Sequence, residues 1–486
     1  MHRLKLPYFS QISRYLLFKN NKMKLNALLP LLFFSLSCCG QNENVEKNQN
    51  SEIKISGEKI ANILSFFPDN EPGGTFLVTQ NGKTIASAAL GKNNLELDED
   101  MKMENVFNIA SVTKPFTAVA IFKLIEKGKI ALTDRVSKFV PDFPKEGEGI
   151  TIGHLLSHSS GMEYKNDEDQ RDAFKKAIVM KRDNTSISVV EYFTKEKFDT
   201  KPGNKHDYNN VAYQLLGYII EQISGKPYEE YLKETFFEPL NMNNTLLEST
   251  AKVIKNRATG YDSFNGNDYH IRKIDSDDSY FYSAGGLMST IEDLSIWYEA
   301  LMGYKIIGKA NVEKLITPIK YNDGTYGGNG YGVFTGNLNG HNFIHHDGLG
   351  WGYGSMLLYF PESKIFIAHL RNCGYCKYDI TNSYSAPIRI AATLLDSEYL
   401  KDYEDKTLFK KYIGTYSSTL SQEDKVIIEK DDKLFLESKL GSLQLNPIND
   451  HTFFVERLNE TLSFGKSSEN KIELTLNKGV TIVYEK

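Results

Sequence analysis

Ser111 and Lys114 stand one helical turn apart at the mouth of an apolar, helix-forming run, which puts a hydroxyl and an amine on one face. A serine hydroxyl is a poor nucleophile at its free pKa. A lysine held close in a partly dry pocket exists as the neutral amine and takes the hydroxyl proton, so the pair is a candidate covalent catalyst. Ala118, Ile121, Phe122 and Ile125 fall at helical spacing, Val119 and Leu124 widen the apolar face, and Gly128 supplies a C-terminal stop. Pro115 is tolerable in the first turn, where backbone N–H groups lack intrahelical partners anyway. Ser111 is therefore expected at the helix N-terminus, where the dipole and free N–H groups favour a developing negative charge.

Alone, Ser-x-x-Lys is a frequent chance pattern, and two further motifs give it weight. Tyr208-Asn209-Asn210 follows the turn-rich Lys201-Pro202-Gly203-Asn204 and precedes a helical run through Leu215, Leu216, Ile219 and Ile220. A phenol and an amide thus sit at a second helix start. His346-Asp347-Gly348 lies between two strand-like runs, Asn342 to His345 and Ser355 to Phe360, the second turning through Pro361-Glu362-Ser363-Lys364 into Ile365 to Leu370.

With these motifs the chain resembles the serine β-lactamase and penicillin-recognising family, especially class C β-lactamases, D,D-peptidases and the related esterases and D-aminopeptidases. The resemblance extends to Phe107-Asn108-Ile109-Ala110, Leu132-Thr133-Asp134-Arg135-Val136, the stretch from Ile152 through His154 and His158 to Met162, and Ser283-Ala284-Gly285-Gly286-Leu287-Met288-Ser289-Thr290. It implies Ser111 as nucleophile, Lys114 as its base, Tyr208 as proton relay to the leaving group, and Asn210 as a hydrogen-bonding partner of the acyl side. Gly348 lets substrate backbone lie against the strand edge, and the N–H groups of Ser111 and Leu349 form the oxyanion hole. His346 stands where many β-lactamases have lysine. A mostly neutral imidazole beside Asp347 implies weak attraction for anionic β-lactams, improving toward pH 6 if His346 protonation outweighs loss of the Lys114 base. The structural alternative is that His346 mainly hydrogen-bonds Tyr208 or a strand carbonyl.

The 486 residues carry a net charge of −5, and residues 1–37 hold six basic side chains and no acid, leaving the remainder near −11. That balance disfavours nucleic acid as a partner. Residues 1–39 read as an export segment: Met23-Lys24, a short apolar run from Leu25 to Leu36, and Ser37-Cys38-Cys39-Gly40, which looks like a bacterial lipoprotein cleavage site with Cys38 or Cys39 as the lipidated residue. The apolar run is short for a membrane span, and residues 40–56 read as a flexible tether. The expected location is the cell envelope, held to the membrane by lipid.

The expected fold class is α+β. Residues 57–400 form an antiparallel sheet flanked by helices, with strands Thr75 to Gln80, an Asn81-Gly82 hairpin turn and Thr84 to Leu90 joining the C-terminal strands, and a helical insertion carrying Ser111 and Tyr208. A helix near Glu58 to Phe66 leads in. From Tyr412-Ile413-Gly414-Thr415-Tyr416 short alternating strands imply a small β-barrel over 407–486, similar to the lipocalin-like module of some family members. No cofactor or metal is expected: His154 and His158 share a helix face at metal-like spacing, but no glutamate follows His154. Of His341, His345 and His346, strand alternation sends only His346 into the site. Cys373-x-x-Cys376 in an exported chain reads as a local disulfide or as free thiols. Three functions remain: a serine hydrolase acting through an acyl-enzyme on an ester or amide, including D-amino-acid peptides; a penicillin-binding sensor that acylates without turnover; and a non-catalytic scaffold.

Overall fold

The computed structural model describes residues 60–485 apart from 61–62, 66, 142, 163–199, 250–251, 264–267, 272–277, 339, 351, 377–379, 396–405, 420–423, 432, 439–440, 448–451, 456–459, 465–470 and 476–480. The export segment with Cys38 and Cys39, the tether and most of the expected helix near 58–66 lie outside the described residues; Ile60, Ile63 and Leu64 of that helix are helical and buried.

Six antiparallel strands build the main sheet: β1 (Gly74–Gln80), β2 (Lys83–Leu90), β3 (Phe334–Leu338), β4 (His341–Gly350), β5 (Tyr353–Phe360) and β6 (Ile365–Arg371), in the order β3-β4-β5-β6-β1-β2. The turn between β1 and β2 follows from Asn81 and Gly82, both at positive φ (52° and 72°), the geometry a two-residue hairpin needs to match strand twist. The termini of the enzyme part thus share one sheet, since β1 pairs with β6 from Gly74↔Arg371 to Gln80↔Ile365. The His346-Asp347-Gly348 motif lies inside the ten-residue strand β4 rather than between two strands. The run from His341 through Gly350 stays extended because it is paired on one side along nearly its whole length, Ile344↔Tyr359 through Gly350↔Tyr353.

Four helices matter for the site: α1 (Thr113–Glu126), α2 (Asn210–Ser224), α3 (Ile291–Met302) and α4 (Ile380–Leu394). One core lies between the sheet and α1, α2 and α3, where Trp297 stacks on Phe116 at 4.1 Å between ring centroids. A second core lies on the opposite sheet face, where α4 and Ile60, Ile63 and Leu64 cover Phe76, Leu358 and Ile367. α1 is buried nearly all round, as expected of a helix at the centre of a large domain rather than at its surface. The insertion is mostly helical and also contains a three-stranded sheet, in which Leu287–Ser289 pairs with both Phe107–Asn108 and Leu246–Leu247.

Beyond Gly414 two antiparallel sheets of four and five strands enclose a third core that includes Tyr416, Leu436, Phe453, Phe464 and Tyr484. Ser417 and Glu485 exchange backbone hydrogen bonds of 2.8 and 2.7 Å and join the sheets along one seam. Tyr326 of the enzyme part packs against this core. Among the described residues no helix is long and apolar enough to cross a membrane.

Candidate active site

Ser111 occupies a 3-10 turn, Ala110–Val112, that runs directly into α1 at Thr113. The expected helix start is therefore displaced by two residues, because Ala110 is held at φ 45° and sets the chain direction just before the serine. Non-glycine residues at such φ are strained and persist only where their surroundings over-determine them. Here Asn108 Oδ1 accepts the Ala110 N–H at 2.8 Å, while Asn108 Nδ2 donates to Glu248 at 2.7 Å. Glu248 is buried, so this support is shielded from water. Ser355 Oγ of β5 donates to the Ile109 carbonyl at 2.9 Å and ties the same turn to the sheet.

Lys114 Nζ lies 3.0 Å from Ser111 Oγ and donates to the Ala284 carbonyl at 2.7 Å. The lysine is fully buried. Burial holds its pKa well below the ordinary lysine value, and the carboxyl of Asp347, itself pushed up by burial, opposes only weakly. Burial thus favours the neutral amine, the form whose lone pair can receive a hydroxyl proton. Ala284 reaches it through a strained turn at Tyr282 (φ 46°), followed by Gly285 and Gly286, whose N–H groups both donate to the Tyr282 carbonyl. Gly217 of α2 permits that approach: a Cβ there would meet Ser283 Oγ at 2.1 Å.

Tyr208 precedes α2, its ring 4.8 Å from Lys114 Nζ. Asn209, not Asn210, caps the helix, accepting the N–H groups of Val211 and Ala212 at 2.8 and 3.3 Å. Asn210 is the first helical residue and is half-buried.

β4 closes the other wall. β3 ends its pairing at Phe334↔His345, so among the described residues the outer edge of β4 has no strand partner from His346 to Gly350. A Cβ on Gly348 would meet the Ile109 carbonyl and Ser355 Oγ at 2.5 Å and the Ser111 nitrogen at 3.0 Å. The glycine therefore serves the close approach of β4 to the Ser111 backbone. The Leu349 side chain is 41% exposed at this edge.

His346 is buried beside Phe334, with ring centroids 5.2 Å apart, and its Nδ1 lies 2.7 Å from the Asp347 carbonyl. In the neutral ring Nδ1–H donates to that carbonyl and Nε2 keeps its lone pair. Burial, reinforced by Lys114, lowers the His346 pKa to about 3. Burial thus opposes protonation near pH 6, and the strand-carbonyl alternative describes the geometry. His345 stacks on Phe334 at 5.3 Å and meets Phe343 in a tilted contact at 5.6 Å. Asp347 pairs with Met356, on the sheet face opposite His346.

His154 and His158 do not share a helix face, because the helix there ends at Leu156 and His158 adopts φ 54°. Each ring instead accepts a backbone N–H, His154 Nδ1 from Thr151 and His158 Nδ1 from Asn209. Cys373 and Cys376 are joined as a disulfide. Among the described residues no cluster suits a metal ion.

A buried Ser-x-x-Lys pair at a helix start, facing an open strand edge on an antiparallel sheet, defines a class of serine acyl-transfer enzymes. The β-lactamase family model matches residues 61–384, and the chain belongs to that family of serine hydrolases. Penicillin-binding protein 4* of Bacillus subtilis (strain 168) is 26% identical over 455 residues, covering 87% of this chain and 94% of that protein. Protein flp of Staphylococcus aureus (strain N315) is 28% identical over 307 residues, covering 62% of this chain and 59% of its own length. Among solved structures, the octameric penicillin-binding protein homologue from Pyrococcus abyssi superposes with a TM-score of 0.59 at 26% identity, covering 88% of this chain and 98% of that one. The D-amino acid amidase from Ochrobactrum anthropi SV3 shares the fold, with a TM-score of 0.59 at 22% identity, over 70% of this chain and 98% of that one.

Proposed function

We propose that the protein hydrolyses uncharged esters or amides through an acyl-enzyme on Ser111. The observation that carries this reading is the 3.0 Å approach of a buried Lys114 Nζ to Ser111 Oγ. Lys114 takes the serine proton as Oγ attacks the substrate carbonyl carbon, and the oxyanion is held by the N–H groups of Ser111 and Leu349. The proton passes by way of the Tyr208 hydroxyl to the leaving oxygen or nitrogen as its bond to carbon breaks. Water then attacks the acyl-enzyme, giving up a proton to the same relay and returning Ser111.

The walls support a neutral substrate. His346 offers an acceptor at Nε2 where a lysine would offer a cation, and His158 and His346 are both kept uncharged by burial. An amide N–H laid along the open edge of β4 suits the His346 Nε2 acceptor, so short peptides, D-residues included, belong to the class. The similarity to penicillin-binding protein 4* favours a second outcome, acylation by penicillin with slow release. Incubation with p-nitrophenyl acetate, a fluorescent penicillin and a fluorophosphonate, followed by intact mass, tests the reading. Turnover of the ester supports it; a persistent penicillin adduct without ester turnover supports the sensor; no adduct refutes both. We further propose that the chain is exported and lipid-anchored through Cys38 or Cys39, on the strength of the basic, apolar and small-residue order around them.

A further inference from the structure

His158 touches three consecutive residues of the segment that carries Tyr208. Its backbone carbonyl accepts the Asp207 N–H at 2.6 Å, and its ring Nδ1 accepts the Asn209 N–H at 3.1 Å. Between these two bonds the ring lies against the Tyr208 ring, 4.4 Å between centroids and 30° from parallel. On its other flanks the imidazole meets Tyr213 at 4.9 Å and His206 at 5.7 Å. Both hydrogen bonds depend on the left-handed backbone at His158 (φ 54°), which turns carbonyl and ring toward the same short segment. Such a φ is costly for a residue with a side chain, and the surrounding fold holds it. An Nδ1 that accepts requires the proton of the neutral ring to sit on Nε2.

We infer that His158 is a positioning residue that clamps Tyr208 against Lys114 and so governs proton delivery to the leaving group. The inference rests on the proposed relay role of Tyr208 and goes beyond it, because His158 touches no reacting atom. The next residue extends the hold: the Ser159 carbonyl accepts the Gly203 N–H at 2.7 Å, anchoring the turn from which the Tyr208 segment departs. Freed from this clamp, Tyr208 is still present but no longer held over Lys114 Nζ.

A relay to the leaving group matters most when that group is a poor one. An ethyl ester needs a proton on its departing oxygen, whereas p-nitrophenolate leaves without one, so the ratio of the two rates reports proton delivery. His158→Phe keeps an aromatic ring but removes the Nδ1 acceptor. His158→Asn tolerates the left-handed backbone and restores an acceptor near the Nδ1 position. Using the full-length protein, kcat/KM, which reports acylation and not the deacylation step the two substrates share, is measured for the ethyl and p-nitrophenyl esters of one acid, with Tyr208→Phe as reference. His158→Phe is expected to lose about tenfold or more on the ethyl ester and under about threefold on the p-nitrophenyl ester, as removal of general-acid help predicts. His158→Asn should recover part of that loss, and His158→Phe should cost little more once Tyr208→Phe is already present. Equal losses on both esters, or a full additional loss in the double variant, overturn the inference. Should His158→Phe fail to fold, His158→Asn against His158→Ala gives the same comparison. A Tyr208→Phe enzyme without the leaving-group signature overturns the relay itself, whereas that signature in Tyr208→Phe but not in His158→Phe overturns the clamp alone.

Discussion

Gly348→Ala places a methyl group where β4 crosses the backbone of Ser111, the proposed nucleophile. The new Cβ lies 2.5 Å from the Ile109 carbonyl oxygen and from Ser355 Oγ, and 3.0 Å from the Ser111 nitrogen. Relaxing the closest contacts to about 3.5 Å requires a shift of about 1 Å between β4 and the turn 109–111. β5 cannot take up that shift, because Gly348↔Ser355 and Leu349↔Gly354 are paired. The separation must open between Ser111 and Leu349, the two proposed oxyanion donors. Misplacement of this size costs about a hundredfold, and loss of one donor costs about 2.7–4 kcal/mol, so kcat/KM for p-nitrophenyl acetate should fall about 10²-fold. The Ser355 hydroxyl bond to Ile109 is disturbed as well, at a stability cost of about 1–3 kcal/mol visible in the Tm. Ser355→Ala removes only one of the two close oxygens and should not rescue the variant. Stopped-flow acylation by a fluorophosphonate alongside steady-state ester hydrolysis reads the effect. A Gly348→Ala enzyme within threefold of wild type in both assays refutes the reasoning.

Lys114→Arg should abolish acylation, since a guanidinium does not deprotonate, and wild-type kcat/KM should fall with decreasing pH as the depressed lysine pKa is crossed; a flat profile counts against the base. Hydrolysis of an anionic β-lactam relative to a neutral ester should stay flat from pH 7 to 5, because His346 remains neutral until about pH 3, and His346→Lys should raise that ratio about tenfold. His345, also pushed to about 3 by burial, is neutral in the fold but takes up a proton on unfolding below about 6.5, so its contribution to stability shrinks as pH falls. His345→Phe should lessen the loss of unfolding free energy between pH 6.5 and 5 by about 1.4 kcal/mol per pH unit, measured by urea titration. Replacing Cys38 and Cys39 together by serine should release the protein from the membrane fraction; unchanged partitioning counts against lipid anchoring.

Local signals carried much of the site. The Ser111–Lys114 spacing, the turn before Tyr208 and the Asn81-Gly82 hairpin each express a short-range rule, and each lies in the described fold within a residue or two. What escaped was set by contacts distant in the chain. Ala110 and His158 adopt left-handed backbone because residues far away over-determine them: Glu248 through Asn108 for the first, the segment 207–209 for the second. Neither residue type announces such a φ. The burial of His346 escaped for the same reason, since the sequence shows a mostly neutral imidazole but not the surroundings that oppose its protonation toward pH 6. In the C-terminal region the strand Glu460–Phe464 turns only Leu462 and Phe464 inward in a run of five, too short a pattern to stand out in the sequence.

The central claim is that Ser111, activated by a neutral Lys114, forms a covalent acyl intermediate. Rapid-quench intact mass during turnover of an ester with a slow-hydrolysing acyl group, with peptide mapping of the adduct, tests it most directly. The account predicts one acyl group on the peptide containing Ser111, forming faster than steady-state turnover and absent from Ser111→Ala and Lys114→Arg. Wild-type rates in Ser111→Ala, or an adduct mapped to another residue, would contradict it.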